Sequence, residues 1–189
     1  MNIKIRLNWN GPVNWSDLEN NHLQDYLEEM QQPGVYCHCL GPYPENIYSP
    51  FYVGKADSII NRQWQHLNYL NNYSATLFNL PEAIDRLINP DIAFLPEYDL
   101  KPNDVIIRRN KALSAIFYAT VSSGQDIEAI EGAIQIYLIK KSETRALLIT
   151  KPSSYRLRNT TINNDYSRIT SQGITLKGMP DMIITPSKD

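Results

Sequence analysis

A guanidinium, an imidazole and a phenol stand close together in one short run, as Arg62, His66 and Tyr69. On the helix expected over 57–71, at about 100° per residue, the three fall within about 60° of one another. Ile60, Trp64 and Leu67 form an apolar stripe on the other side of that helix. An ordinary solvated face is built from Lys, Glu and Gln. Arg instead supplies a planar fork of donors that matches phosphate oxygens. His moves a proton near neutral pH. Tyr donates a hydrogen bond or, with a lowered pKa, accepts a proton. The bland reading of the trio is a polar face packed under a neighbouring segment.

The trio needs elements to hold it. "GVYCHCLG" reads as a strand, and Gly41, Pro42, Pro44 and Pro50 mark a long turn before a second strand, "FYVG". The two are expected to pair antiparallel as a wide hairpin, delivering the chain to the helix. Upstream, "SDLENNHLQDYLEEM" reads as one helix with a capping box at Ser16 and Glu19, ended by Pro33-Gly34. Downstream, Pro81, Pro90, Pro96 and Pro102 punctuate 72–103, which reads as an insertion with one short helix at 81–88. "DVIIRR" and "LSAIFYATVS" read as strands, and "DIEAIEGAIQIYLIKK" as a helix with Ile127, Ile130, Ile134, Tyr137 and Leu138 on its apolar face. "ALLIT" and the stretch 166–176 read as further short strands.

The bulk properties are those of one folded domain. The chain has 189 residues, 42% hydrophobic and 20% charged. No apolar run approaches membrane-spanning length and the first residues carry no signal-like apolar core, so no membrane partner and a cytoplasmic location are expected. Cys37 and Cys39 lie two apart on one strand, a poor geometry for a disulfide, and lack the second ligand pair of a structural zinc site. Net charge is −2, but it is unevenly spread: residues 1–107 carry 6 basic and 13 acidic side chains, and 108–189 carry 12 and 7. Seven basic residues against two acidic ones fall within 140–168. Such a stripe can hold a polyanion locally or simply be solvated.

Gly34-Val35-Tyr36, then Tyr52-Val53-Gly54, then Arg62 and His66, together resemble the GIY-YIG nuclease family. The match covers about 34–141, with 72–103 inserted, 1–33 as an N-terminal helical extension and 142–189 as a basic C-terminal extension. The fold implied is α+β, a small central antiparallel sheet flanked by helices. The resemblance implies a metal-binding glutamate on the later helix. Glu131 is favoured, with Glu128 one turn earlier as its competitor. It also implies a downstream Asn, matched by Asn159 after a Lys-Pro step. Two departures stand out: Tyr36 and Tyr52 are widely separated, and the apolar pair expected after the glutamate is only half present, as Ile134-Gln135.

What the resemblance implies is phosphodiester hydrolysis with Mg²⁺ or Mn²⁺. Glu131 holds the ion, Arg62 clamps the phosphate, Tyr36 is the general base, and Lys55 supplies positive charge near it. Tyr52 and His66 orient water or phosphate, with His66 as the alternative base. Double-stranded DNA is the expected partner, met also by Tyr69, Arg108, Arg109, Lys140, Lys141, Arg156 and Arg158. A compact chain of this kind resembles a Type II restriction endonuclease, whose double-strand cut favours a homo-oligomer. Target reading is expected from the insertion, from the 43–50 turn and from 140–168. The alternative is a catalytically silent nucleic-acid-binding module on the same fold.

Overall fold

The computed structural model describes residues 3–23, 26–42, 46–72, 104–141 and 157–186, with Val105, Ile106 and Lys141 described by backbone alone. The helix expected at 81–88, the "ALLIT" strand, Arg156 and most of the 72–103 insertion lie outside these residues. The elements are β1 (Ile3–Asn8), β2 (Asn10–Asn14), α1 (Trp15–Glu19), α2 (Leu27–Met30), β3 (Gly34–Leu40), β4 (Ile47–Ala56), α3 (Ile59–Asn71), α4 (Asp104–Ala112), β5 (Ser114–Thr120), α5 (Ile127–Lys141), β6 (Thr160–Asp165), α6 (Ser167–Thr170), β7 (Thr175–Leu176) and β8 (Met182–Ile184). This is an α+β arrangement of mixed sheets flanked by helices.

A five-stranded sheet in the order β2-β5-β3-β4-β7 forms the centre, antiparallel except for the β4–β7 pair. β3 is buried along its whole length because both its edges are paired and both its faces are covered. Its odd residues, Val35, Cys37 and Cys39, join a core with Phe117, Ile130, Ile134 and Leu138, where the two cysteines are free thiols. Tyr36 faces the opposite core with Trp15, Met30, Ile59, Leu67 and Tyr118. The expected wide hairpin is present: Tyr36 pairs with Gly54 and His38 with Tyr52, and the register shifts beyond His38, so that Pro50 lies opposite Cys39.

Several local expectations are corrected. The 16–30 run is two short helices, α1 and α2. Asn21 stands at φ 56°, and the N–H groups of Asn21 and His22 reach the carbonyls of Leu18 and Asp17. That is a Schellman stop with Asn in the left-handed position. The start of α1 is also earlier than Ser16: Asp17 accepts from the Asn14 N–H at 3.0 Å. "DVIIRR" is helical, within α4, and not a strand. It buries Ile107 and Asn110, one helical turn apart, on one helix face.

The first 33 residues are not purely helical. β2 forms one edge of the central sheet, and β1 pairs in parallel with β6 in a second, three-stranded sheet of order β1-β6-β8. The alternation Ile3, Ile5, Leu7, Trp9 carried that signal. In the tail the strands bracket a short helix, α6, at 167–170. The Trp9 indole donates to Asn164 Oδ1 at 2.9 Å, tying β6 to the segment between β1 and β2. No helix among the described residues is long and apolar enough to cross a membrane.

Candidate active site

The two tripeptides that frame the site each end or begin on a glycine, and both glycines are required by close approach. A Cβ on Gly34 would stand 2.3 Å from the Ala119 carbonyl oxygen of β5. A Cβ on Gly54 would stand 2.4 Å from both Cζ and the hydroxyl oxygen of Tyr36. The Tyr36 ring therefore lies across the bare backbone of its cross-strand partner, and this directs its hydroxyl toward α3.

There the hydroxyl meets two side chains from one helix. Tyr36 Oη lies 2.8 Å from His66 Nε2, and Arg62 Nε donates to Tyr36 Oη at 3.4 Å. The guanidinium only donates, and with the Nδ1–H tautomer of His66 the Nε2 atom accepts the phenol proton. Tyr52 stacks beside Tyr36 with ring centroids 6.0 Å apart. Tyr69 lies at the outer margin, 6.3 Å from the His66 ring, and is partly exposed. Tyr36, Tyr52, Arg62 and His66 thus converge as expected, with Tyr69 beside them.

The face of α3 that makes this possible is rotated from the expected one. Trp64 is 39% exposed, whereas Gln63 is 0% exposed, and Ile59, Ile60, Leu67 and Leu70 complete the buried side. The trio flanks the buried side and does not stand opposite it, with Arg62 and His66 half-buried and Tyr69 exposed. The reason is a buried imidazole that sequence reasoning passed over. His38 follows Tyr36 by two residues on the same face of β3, and its Nε2 lies 2.8 Å from Gln63 Oε1. A buried polar ring demands a polar partner, so the amide goes inward and the indole outward. The His38 ring also packs 4.8 Å from that of His66 and 5.2 Å from that of Tyr52.

Burial holds Tyr36, His38 and His66 in their neutral forms beside the charged Arg62. Burial, and then Tyr52, push the Tyr36 phenol far above its ordinary value, against the lowering effect of the Arg62 hydrogen bond. Burial, helped by His38 and Arg62, pushes His66 down to about 3. Burial likewise takes His38 down to about 4, with the Gln63 bond opposing. An unfolded His titrates near 6.5. Below that pH the unfolded chain binds more protons, so stability is complete above about pH 6.5 and falls as pH drops toward the folded values. The slope is at most about 1.4 kcal/mol per pH unit for each ring. Glu131, whose pKa is raised, acts in the opposite sense just above the carboxylate range. Urea unfolding at pH 7, 6 and 5 is expected to show a falling midpoint, with a shallower fall in His66→Gln. A pH-independent midpoint would contradict these assignments.

Glu131, on α5, occupies the other side of β4. Burial raises its pKa and Glu128 adds to this, while Lys55 and Arg62 oppose. The carboxylate therefore feels the same guanidinium that bonds Tyr36. Gln135 Nε2 reaches both Glu131 Oε1, at 3.2 Å, and the Val53 carbonyl, at 3.1 Å. The residue that broke the expected apolar pair is thus a tether between the carboxylate and β4. Lys55 is not placed as expected. It alternates away from the Tyr36 face and pairs with Glu128 at 3.2 Å, which leaves Glu131 the better cation ligand of the two. Among the described residues no three His, Cys, Asp or Glu side chains form a metal cluster. A hard ion bound through one carboxylate and substrate oxygens needs none, so the donor set fits Mg²⁺.

Asn159 is not brought to this cluster. It turns the chain ahead of β6 at φ 48°, its N–H donating to Pro186 and its carbonyl accepting from Ile3 in the second sheet. Arg108 and Arg109 are exposed on α4, Lys140 near the end of α5, and Arg158 ahead of β6. Arg168, counted in the basic stripe, is an anchor between elements, bonding Asn10 Oδ1 at 2.8 Å and Glu29 Oε1 at 2.7 Å. No family model, curated protein or solved structure matches this chain.

Proposed function

We propose that this chain is a metal-dependent DNA endonuclease that hydrolyses phosphodiester bonds with a GIY-YIG type of active site. The observation that carries the reading is the meeting of His66 Nε2 and Arg62 Nε on one oxygen, that of Tyr36. A divalent ion held by Glu131 would supply charge at the phosphate oxygens. Arg62 offers its fork to the same phosphate and stabilises the charge that develops there. As water attacks phosphorus, the Tyr36 oxygen takes the water proton and the phenol proton passes to His66 Nε2. The new P–O bond forms as the bond to the leaving deoxyribose oxygen breaks, and that oxygen takes a proton from solvent water. A buried neutral phenol is a poor base alone. A neutral imidazole at 2.8 Å supplies the outlet for its proton.

The His38 ring packs 4.8 Å from that of His66 and Gln63 holds His38 in place, so the imidazole faces Tyr36 in a fixed orientation. Tyr52 packs the wall against which Tyr36 rests, and Tyr69 lies at the mouth. A chain with one such site cuts both strands by acting as a pair, as a Type II restriction endonuclease does. Incubation of the purified protein with supercoiled plasmid and Mg²⁺ or Mn²⁺ is expected to give nicked and then linear DNA, and EDTA to prevent both. Retention of DNA in a gel-shift assay, with no cleavage under either metal, would instead identify a silent binding module.

A further inference from the structure

The surface of α3 away from the core has an unusual composition. From Ile59 to Asn72 the chain has no carboxylate and no lysine, although it carries 20 acidic residues in all. Asn61, Gln65, Asn68 and Asn72 are exposed. At about 100° per residue they share one stripe about 60° wide, roughly a quarter-turn from Arg62 and His66. The stripe runs about 16 Å along the helix. Solvent alone gives no reason to exclude Lys and Glu in favour of amides.

Two contacts pre-arrange the amides. Gln65 Oε1 accepts from Arg62 at 2.7 Å, and Asn72 Nδ2 donates to Asn68 Oδ1 at 2.7 Å. Charge at the two ends of the stripe is mixed, with the exposed Asp57 one turn ahead of Asn61. Arg62 stands at its start. At its end Lys111 donates to Asn71 Oδ1 at 2.6 Å, joining α3 to α4, where Arg108 and Arg109 are exposed. Lys111 also pairs with Glu19, so that contact carries no net charge, and Arg108 and Arg109 are the exposed cations on α4.

We infer that this face of α3 enters the major groove of duplex DNA and reads base edges, so that it sets the sequence at which the chain cuts. The inference rests on the nuclease reading above. A single helix fits the major groove, and Asn and Gln pair bidentately with adenine there. Because Arg62 lies on the flank of the same helix, a helix seated in the groove brings that guanidinium against the adjoining backbone. Sequence choice and phosphate clamping then share one rigid element.

The test is cleavage of a randomised plasmid library with Mg²⁺, followed by sequencing of the cut ends, for the parent and for Asn61→Ala and Asn68→Ala. The parent is expected to cut at a defined sequence. Each alanine variant is expected to keep metal-dependent cutting while discrimination at one base pair drops by about 5- to 100-fold. The pair Asn61→Asp and Asn68→Asp, which brings two carboxylates into the negative potential of the groove, is expected to slow cleavage at least about tenfold. Parent cutting without sequence preference, or alanine variants with unchanged preference, would overturn this inference and leave the nuclease reading intact. A parent that cuts no DNA with either metal would overturn both.

Discussion

Glu131→Gln is expected to slow plasmid cleavage by about 10²- to 10³-fold while leaving the protein as stable as the parent or slightly more so. The two effects separate because the carboxylate is held against its preference. Burial raises its pKa, so the fold disfavours the charged form, and Lys55 and Arg62 oppose that shift. An isosteric amide removes the cost of burying the charge and keeps the volume. It also removes the anionic oxygen that a hard cation needs. Arg62→Ala should produce a loss of similar size, with Arg62→Lys intermediate, because an ammonium keeps the charge and loses the fork. The measurement is initial nicking rate with Mg²⁺, alongside urea unfolding of each variant. Parent-like cutting by Glu131→Gln would remove Glu131 from the site and return Glu128 to consideration.

The second large effect concerns the glycines. Gly34→Ala is expected to destabilise the protein by about 3 kcal/mol, the upper end for overpacking. The obstruction is backbone: the Ala119 carbonyl at 2.3 Å and Thr120 Cα at 3.1 Å can move only if β3 and β5 separate. Gly54→Ala meets a side chain instead, the Tyr36 ring. It should cost about 1–3 kcal/mol and displace the hydroxyl that His66 and Arg62 hold. Pairing it with Tyr36→Ala should therefore recover part of the stability, with a coupling of about 1–3 kcal/mol between the two changes. No activity should return. Strict additivity in urea unfolding would show that Tyr36 does not lie over Gly54 in solution. The two motif glycines thus do different work: one lets strands close, and the other lets an aromatic ring cross a strand.

How much was legible beforehand depended on whether a residue acted through its neighbours in the chain. The β3–β4 hairpin, β5 and α5 announced themselves by local pattern, because strand alternation and helical periodicity are properties of consecutive residues. Tyr36, Tyr52, Arg62 and His66 could be grouped because their spacing along two strands and a helix survives folding unchanged. Asn20-Asn21 was a local stop signal hidden by a convincing apolar stripe. The Ile3 to Trp9 alternation was equally local and was outweighed by the helix beside it.

The rest was decided across the chain. Hydrophobicity places Trp64 inside and Gln63 outside, and the fold reverses them because His38, 25 residues earlier on the opposing strand, needs a hydrogen-bond partner within the core. Lys55 looked free to serve Tyr36, but strand alternation turns it to the other face, where Glu128, 73 residues away, captures it. Gln135 read as a flaw in a helix and serves as the tether of Glu131, because the Val53 carbonyl passes beside it. Asn159 had the right residue type at a fitting position, and tertiary structure assigns it to a turn of the second sheet. The amino-acid sequence by itself determined which chemical groups stand at the site and in what order, since type and local spacing are written in it. Tertiary structure decided which of them face one another, because a buried ring such as His38 calls for a polar partner that only long-range packing can bring.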